Sequence, residues 1–208
     1  MKTIIFDVDG TLLSTEAMYM KSLDYTLQAH GIQKSYDELY SIFGLPSLDG
    51  LIKLGIENPA EMQLAWQGNY HLFWNEVHLF TDIELLLSAL KAAGKQLGIV
   101  TSNTPEEFAD HADEFAINQY FADFVFAGQT PKMKPAADPI LKALADLGAD
   151  KASSIYIGDS IHDMQAAHNA GIPFGMAAWG VRDQSVFKGE ADYIFDKPAD
   201  LLTFALPD

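Results

Sequence analysis

The feature that most constrains the fold is a regular alternation of short apolar runs with helix-like segments after residue 81. The runs have the length of strands, and the segments between them repeat their apolar residues with a helical period. The apolar runs are KQLGIV, DFVFAG, SSIYIGD, IPFGMAA and DYIFD. Strands that alternate with helices form a parallel sheet covered on both faces, so we predict an α/β fold.

One further strand, over residues 3–7, is separated from the others by residues 15–80, which have helical patterns only. Within this block, residues 59–78 carry aromatic side chains at helical spacing and are expected to form one long helix. The block interrupts the alternation, so we interpret it as an insertion between the first and second strands of the sheet. The expected domains are a core of residues 1–14 and 81–208 and an all-helical domain of residues 15–80.

Composition and charge exclude several classes of function. The 208 residues include no cysteine, which rules out a thiol nucleophile, a thiolate zinc site and disulfides. The net charge is −16, from 29 acidic and 13 basic residues, so no basic face is present to attract nucleic acid. No apolar stretch reaches the length of a membrane span or of a signal-peptide core. We therefore expect a cytoplasmic protein with neither nucleic acid nor membrane as a partner.

Polar residues collect where the predicted strands end. The carboxyl ends of parallel strands meet at one edge of a sheet, and ligands bind there in α/β folds. Four strand ends would therefore deliver carboxylates, hydroxyls and lysines to a single site. These residues are Asp7, Asp9 and Thr11, then Thr101, Ser102 and Asn103, then Lys132 and Lys134, and last Asp159 and Asp163.

The residue types at this edge indicate phosphoryl chemistry. Several carboxylates in one place need a cation, and ligands that are all oxygen suit Mg²⁺. Lys134 would supply a point charge for a phosphate or for the nucleophile. Thr101 could donate a hydroxyl hydrogen bond to a phosphoryl oxygen, and an Asp beside Mg²⁺ is a known phosphoryl acceptor. The predicted cofactor is Mg²⁺, and the predicted substrate is a small phosphorylated metabolite.

Four short motifs carry a resemblance to a known family. DVDGT, IVTSN, the lysine of MKPAADP, and GDSIHD resemble, in order and spacing, the four motifs of the haloacid dehalogenase superfamily. The helical insertion resembles the small α-helical cap of that superfamily, as in relatives of phosphoglycolate phosphatase and β-phosphoglucomutase. The resemblance implies a Rossmann-like parallel sheet core with an inserted all-α cap domain. It also implies a phosphatase that works through an aspartyl phosphate.

The resemblance also implies roles for four acidic residues. Asp7 would be the nucleophile, and Asp9 would be the general acid and base. The side chain of Asp7, the backbone carbonyl of Asp9 and the side chain of Asp159 would bind Mg²⁺. Asp163 would bind the metal through water or orient Lys134.

Two loops would contact the substrate. Thr101, with backbone groups near Ser102 and Asn103, would bind the phosphate. A turn in the cap would help to select the substrate. That turn consists of Gly44, Leu45 and Pro46. The third motif departs from the family pattern, because Ala137 replaces its second proline, and we expect a slightly looser loop without displacement of Lys134.

Several functions are compatible with these residues. We expect a Mg²⁺-dependent phosphatase that hydrolyses a small phosphomonoester. The first alternative is a phosphomutase of a sugar phosphate, which would use the same aspartyl phosphate, and the second is a non-catalytic module that binds a phosphorylated metabolite. Dehalogenation would need neither Asp9 nor a metal, so the presence of Asp9 and Asp159 argues against it. The cap has no basic cluster for a second phosphate, which favours a singly phosphorylated substrate.

Overall fold

A computed structural model describes residues 1–206, apart from the side chains of residues 111–113. The chain divides into two compact units. One unit contains Met1–Leu13 and the chain from Leu79 onward, and the other contains Ser14–His78. None of the helices within the described residues is long and apolar enough to cross a membrane.

The first unit is built on a six-stranded sheet, in which each paired strand runs parallel to its neighbour. The order of the strands is β5-β4-β1-β6-β7-β8. Their bounds are β1 Thr3–Phe6, β4 Gln96–Val100, β5 Asp123–Val125, β6 Ser154–Gly158, β7 Phe174–Ala177 and β8 Tyr193–Phe195. The predicted α/β class is therefore confirmed.

Helices cover both faces of this sheet, because successive residues of a strand point to opposite sides. Ile4 and Phe6 of β1 belong to the apolar cluster that includes buried residues of α5 and α9, whereas Ile5 belongs to the cluster that includes α7 and α8. The helices of this unit are α5 Ile83–Ala92, α6 Pro105–Phe115, α7 Asp138–Asp146, α8 Ile161–Ala170 and α9 Pro198–Ala205. Hydrogen bonds between Thr104 and Glu107 form a capping box before α6.

The second unit consists of helices around an aromatic cluster. Its α-helices are α1 Glu16–Ala29, α2 Tyr36–Tyr40, α3 Ser47–Lys53 and α4 Pro59–Gly68. Tyr19, Trp66 and Tyr70 pack edge to face, with ring centroids 5.1 to 6.1 Å apart. The single helix expected over residues 59–78 is wrong. α4 ends at Gly68 and a 3₁₀ helix follows over Tyr70–Glu76, because glycine and asparagine are poor helix formers.

Two very short strands lie where the chain passes from one unit to the other. β2 spans Leu13–Ser14 and β3 spans His78–Leu79, and the two form a separate two-stranded sheet. The sequence does not predict them, since two residues are too few to show an alternating pattern.

The register of the central strands determines which polar residues become neighbours. Phe6 of β1 pairs with Ile99 of β4 on one side and with Ile157 of β6 on the other. The three strands therefore end nearly level, and the residues that follow them share one edge of the sheet. Asp7 follows the central strand of the three.

Candidate active site

The loop after β1 turns sharply and brings Asp7 and Asp9 to the edge of the sheet. The carbonyl oxygen of Val8 accepts hydrogen bonds from the backbone amides of Thr11, Leu12 and Leu13, at 3.2, 2.8 and 3.0 Å. Asp7 and Asp9 are both buried, with 4% and 9% of their surfaces exposed. A buried carboxylate needs a charged or hydrogen-bonding partner, so these acids mark a site and not a solvated surface.

Gly10 is required in this loop for two reasons. Its φ of +79° lies in the left-handed region that side chains rarely adopt. In addition, a Cβ at this position would lie 2.2 Å from Oδ2 of Asp159. The absence of a side chain therefore allows Asp159 to approach the loop backbone.

Lys134 lies at the centre of a buried polar network. Its Nζ contacts Oδ1 of Asp163 at 2.7 Å, Oδ2 of Asp7 at 3.0 Å and the hydroxyl of Tyr156 at 3.2 Å. An ammonium group has three N–H donors, so these three contacts use all of them. Burial alone would lower the pKa of Lys134, but the charges of Asp163 and Asp7 outweigh it and raise the pKa above its ordinary value.

The structure distinguishes between the two candidate lysines. Lys132 is exposed, and Lys134 is 4% exposed. The loop that carries Lys134 is fixed by a hydrogen bond from the Ala136 amide to the Met133 carbonyl, and by one from Asn169 of α8 to the Pro135 carbonyl, both 2.9 Å long. These contacts stabilise the loop although Ala137 replaces the second proline.

Asp163 lies in the first turn of α8 and is completely buried. Ser160 caps the helix. The amide of Ser160 donates a hydrogen bond to Oδ2 of Asp163 at 3.0 Å, and the hydroxyl of Ser160 donates another to the same oxygen at 2.6 Å. Burial would raise the pKa of Asp163, but Lys134 and Ser160 together lower it below its ordinary value. Asp163 is therefore the ionised partner that keeps Lys134 in place.

The pKa values of Asp7 and Asp159 are shifted in the opposite direction, above their ordinary value. Burial and the charge of Asp163 together raise the pKa of Asp7 to about 8, although the charge of Lys134 opposes the shift. Burial also raises the pKa of Asp159 well above its ordinary value, with Asp163 and Asp7 adding to the effect. The hydroxyl of Thr11 donates a hydrogen bond to Oδ1 of Asp159 at 2.8 Å, and this bond partly offsets the rise in the pKa of Asp159. Both acids therefore retain a proton more readily than an ordinary carboxyl group, and a cation that binds them would displace that proton.

A divalent cation fits this group of residues. Carboxylate oxygens of Asp7, Asp159 and Asp163 all lie within 4.8 Å of one another. Three carboxylates face one ammonium, so the ionised cluster carries two excess negative charges, and its donors are the hard oxygens that Mg²⁺ prefers. Among the described residues, this cluster contains three of the four predicted metal ligands and does not include the carboxylate of Asp9. The resemblance assigns the backbone carbonyl of Asp9 to the metal, and that assignment stays a prediction.

The predicted phosphate loop follows β4, next to β1. Thr101 is completely buried, and its amide donates to the carbonyl of Val125 at 3.1 Å. Its Oγ1 accepts a hydrogen bond from the amide of Asn103 at 3.1 Å, so the hydroxyl stabilises the turn that also contains Ser102. Asn103 is 6% exposed, and its carbonyl accepts from the amide of Ala127 at 2.8 Å. The turn lies at the same edge of the sheet as Asp7.

The predicted substrate-selecting turn belongs to the helical unit and lies between α2 and α3. Gly44 has a φ of +81°, and the amide of Leu45 donates to the carbonyl of Ile42 at 3.1 Å. Pro46 precedes the first residue of α3. This tight turn explains the glycine, and its part in substrate selection stays a prediction.

Sequence reasoning missed Tyr156 as a member of the site. Its hydroxyl lies 2.9 Å from the carbonyl of Val100 and 3.2 Å from Oδ1 of Asp163, in addition to Lys134. Burial and the charge of Asp163 raise the pKa of Tyr156 well above its ordinary value, so the hydroxyl stays protonated. The signal was available, because a tyrosine between two isoleucines of a buried strand needs a partner for its hydroxyl.

Comparisons with known proteins agree with this site. The family model described as haloacid dehalogenase-like hydrolase matches residues 4–177. Pyrophosphatase PpaX of Bacillus velezensis is 32% identical over 206 residues, which are 96% of this chain and 94% of that protein. A crystal structure from Lactobacillus plantarum, provisionally named a phosphoglycolate phosphatase, has a TM-score of 0.88 and 28% identity over 97% of each chain. One from Thermotoga maritima, provisionally named a β-phosphoglucomutase, has a TM-score of 0.78 and 23% identity over 98% of each chain, which shows the fold alone.

The family match extends over most of the chain and contains all four motifs that carry the resemblance. The resemblance to the haloacid dehalogenase superfamily is therefore confirmed. The chain belongs to the haloacid dehalogenase-like hydrolase family.

Proposed function

We propose that this protein is a Mg²⁺-dependent phosphatase that hydrolyses a small phosphomonoester through a phosphoryl group transferred to Asp7. The observation that carries the proposal is the position of Asp7. Its carboxylate lies 3.0 Å from the ammonium of Lys134, inside a buried cluster of acids with excess negative charge. An acid in such a cluster is costly for stability, and this favours a catalytic role.

The residues that would bind Mg²⁺ are Asp7 and Asp159, with Asp163 close by. Bound there, Mg²⁺ would offset the charge of the substrate phosphate beside the carboxylates. Thr11 orients Asp159 through the hydrogen bond to its Oδ1. Lys134 restricts the rotation of the Asp7 carboxylate, so that one oxygen is fixed and the group is oriented for attack.

The remaining residues would bind phosphate and transfer protons. Thr101, Ser102 and Asn103 form a turn at the same sheet edge and would donate hydrogen bonds to phosphoryl oxygens. Asp9, two residues after the nucleophile, would protonate the leaving oxygen and later accept a proton from the water that cleaves the aspartyl phosphate. A non-catalytic binding module would need neither the nucleophile Asp7 nor the acid and base Asp9, so the presence of both residues favours an enzyme.

The comparisons support two substrate classes. Relatives named pyrophosphatase PpaX align over nearly the whole chain, at up to 32% identity. This similarity favours inorganic pyrophosphate as a second candidate beside a carbon phosphomonoester such as phosphoglycolate. Both substrates place one phosphoryl group at the nucleophile, and they differ in the leaving group.

Purified protein should therefore be assayed with Mg²⁺ against pyrophosphate, phosphoglycolate and a set of sugar phosphates, with both released phosphate and isomerised sugar measured. We expect phosphate release that Asp7→Asn abolishes. Isomerised sugar phosphate in excess of free phosphate would instead identify a phosphomutase. Activity that survives Asp7→Asn or excess chelator would refute the proposal.

Asp9→Asn tests the division of labour between the two acids. p-Nitrophenolate leaves without protonation, so the variant should still transfer phosphate from p-nitrophenyl phosphate to Asp7. Rapid mixing should then show a burst of about one p-nitrophenolate per site, followed by turnover about 10² to 10⁴ times slower than in the wild type. Wild-type turnover of alkyl phosphates by this variant would contradict the role of Asp9.

A further inference from the structure

A turn after β7 contacts the loop that carries Asp9, and its last three residues lie outside both the motifs and the family match. The turn consists of residues 177–180, and the family match ends at residue 177. The amide of Gly180 closes it with a hydrogen bond to the carbonyl of Ala177 at 3.0 Å. β7 lies two strands from β1, beyond β6. The turn therefore reaches past the end of β6 to the loop after β1.

The first contact is a hydrogen bond from a side chain to the loop backbone. Nε1 of Trp179 donates to the carbonyl of Thr11 at 2.9 Å. The hydroxyl of the same Thr11 donates to Oδ1 of Asp159 at 2.8 Å. Thr11 therefore links Trp179 to an acid of the carboxylate cluster.

The second contact is a close approach of two backbone segments. A Cβ at residue 180 would lie 1.6 Å from the carbonyl oxygen of Gly10 and 2.7 Å from its carbonyl carbon. The φ of Gly180 is outside the left-handed region, so space and not backbone conformation requires the glycine. A side chain here would displace the loop.

Gly10 itself has two close neighbours. Asp159 occupies the position where a Cβ of Gly10 would be, and Gly180 packs against the carbonyl of Gly10. Gly10 directly follows Asp9, so any shift of its peptide also shifts Asp9. The backbone on which Asp9 depends is thus confined by both of these close approaches.

We propose that Trp179 and Gly180 are positioning residues, which orient Asp9 for proton transfer by confining the backbone of Gly10 and Thr11. The proposal rests on the proposed function only for the role of Asp9, since the confinement itself is a structural feature. A displacement of about 1 Å can lower the rate of a positioned step by about 10²-fold. The two residues therefore affect the step that requires Asp9 without contacting the substrate.

The kinetic test compares leaving groups. Trp179→Phe keeps an aromatic ring and removes the donor, and Gly180→Ala adds the displacing methyl group. We expect kcat for alkyl phosphates to fall by about 10- to 100-fold with little change in KM, because proton transfer is misaligned while phosphate binding persists. The first transfer from p-nitrophenyl phosphate should change by less than about threefold, since its leaving group needs no proton. An equal loss with both substrates would mean a general structural defect and would overturn the proposal.

Matched controls exist in the helical unit. Trp74→Phe makes the same chemical change as Trp179→Phe outside the turn. Gly68→Ala adds a methyl group where a Cβ would meet no atom within 4 Å. Both controls should keep the wild-type dependence on the leaving group.

A second measurement does not depend on activity. Hydrogen–deuterium exchange of a peptide covering residues 7–13 should be about tenfold faster in Trp179→Phe, because the hydrogen bond that restrains the loop is lost. A peptide from α1 should exchange as in the wild type. Unchanged exchange over residues 7–13 would refute the confinement even if the wild type proved inactive as a phosphatase. If Gly180→Ala does not fold, Trp179→Phe alone decides between these outcomes.

Discussion

Binding of Mg²⁺ should be coupled to the release of a proton from Asp7. Burial and the neighbouring Asp163 raise the pKa of this acid from 3.8 to about 8, although Lys134 opposes the shift. A metal ligand must be deprotonated, so proton and metal compete for the same carboxylate. Varying the pH across this value is therefore a direct perturbation of the site.

The magnitude follows from the pKa. A carboxyl group with a pKa of about 8 is about 90% protonated at pH 7, so each bound Mg²⁺ should release about 0.9 proton from Asp7 there and about 0.1 proton from Asp7 at pH 9. The apparent dissociation constant should be about 90-fold larger at pH 6 than at pH 9, which corresponds to about 2.7 kcal/mol. The raised pKa of Asp159 acts in the same direction and can only increase the dependence.

Isothermal titration calorimetry in two buffers with different ionisation enthalpies measures both the number of protons released and the apparent dissociation constant of Mg²⁺. Asp7→Asn is the matched control, because it keeps a carbonyl oxygen and removes the titrating proton. In this variant the proton released by Asp7 should disappear and the pH dependence should become shallower. Tight binding of Mg²⁺ by the wild type with no proton release and no change between pH 6 and pH 9 would refute the reasoning.

Three further results are expected. Without metal, the free energy of unfolding should fall as the pH rises from about 4 to about 8, because the folded protein retains the Asp7 proton that the unfolded chain has lost, and urea titrations with and without Mg²⁺ would measure this. Lys134→Met leaves Asp163 without its ammonium partner and should cost about 3–5 kcal/mol in the same titration at pH 7. Tyr156→Phe leaves the Val100 carbonyl without its donor and should cost about 1–3 kcal/mol, and a loss below about 0.3 kcal/mol would contradict the hydrogen bond.

Much of the fold follows from the sequence, because burial on both faces of a sheet leaves a pattern in each strand. The runs over residues 3–7, 95–100 and 153–159 each have three apolar residues at their centre or end, and the strands lie within these runs. The order of the strands is not evident from the pattern. It depends on how helices on the two faces pack, and that information is spread over pairs of residues far apart in the chain.

The residues of the candidate site also fall into two groups, those that the sequence indicates and those that it does not. Asp7, Asp159 and Thr101 could be identified because they directly follow buried strands, where a polar residue has no reason in packing. Gly180 could not, because the sequence WG indicates only a turn. Its real constraint is the carbonyl oxygen of Gly10, 170 residues earlier in the chain, and no local pattern encodes that approach.

The contacts of Lys134 distinguish between two possible roles, orienting Asp7 and binding a substrate phosphate. Its three donors already contact Asp7, Asp163 and Tyr156, at 3.0, 2.7 and 3.2 Å. A hydrogen bond from Lys134 to a substrate phosphate would require it to release one of these partners and leave a buried oxygen unsatisfied, which costs about 1–3 kcal/mol or more for a charged group. The lysine is therefore better suited to orient Asp7 than to bind phosphate. A divalent cation, if bound as proposed, would balance the negative charge that remains on the ionised acids, so that lysine and cation would have complementary roles in the site.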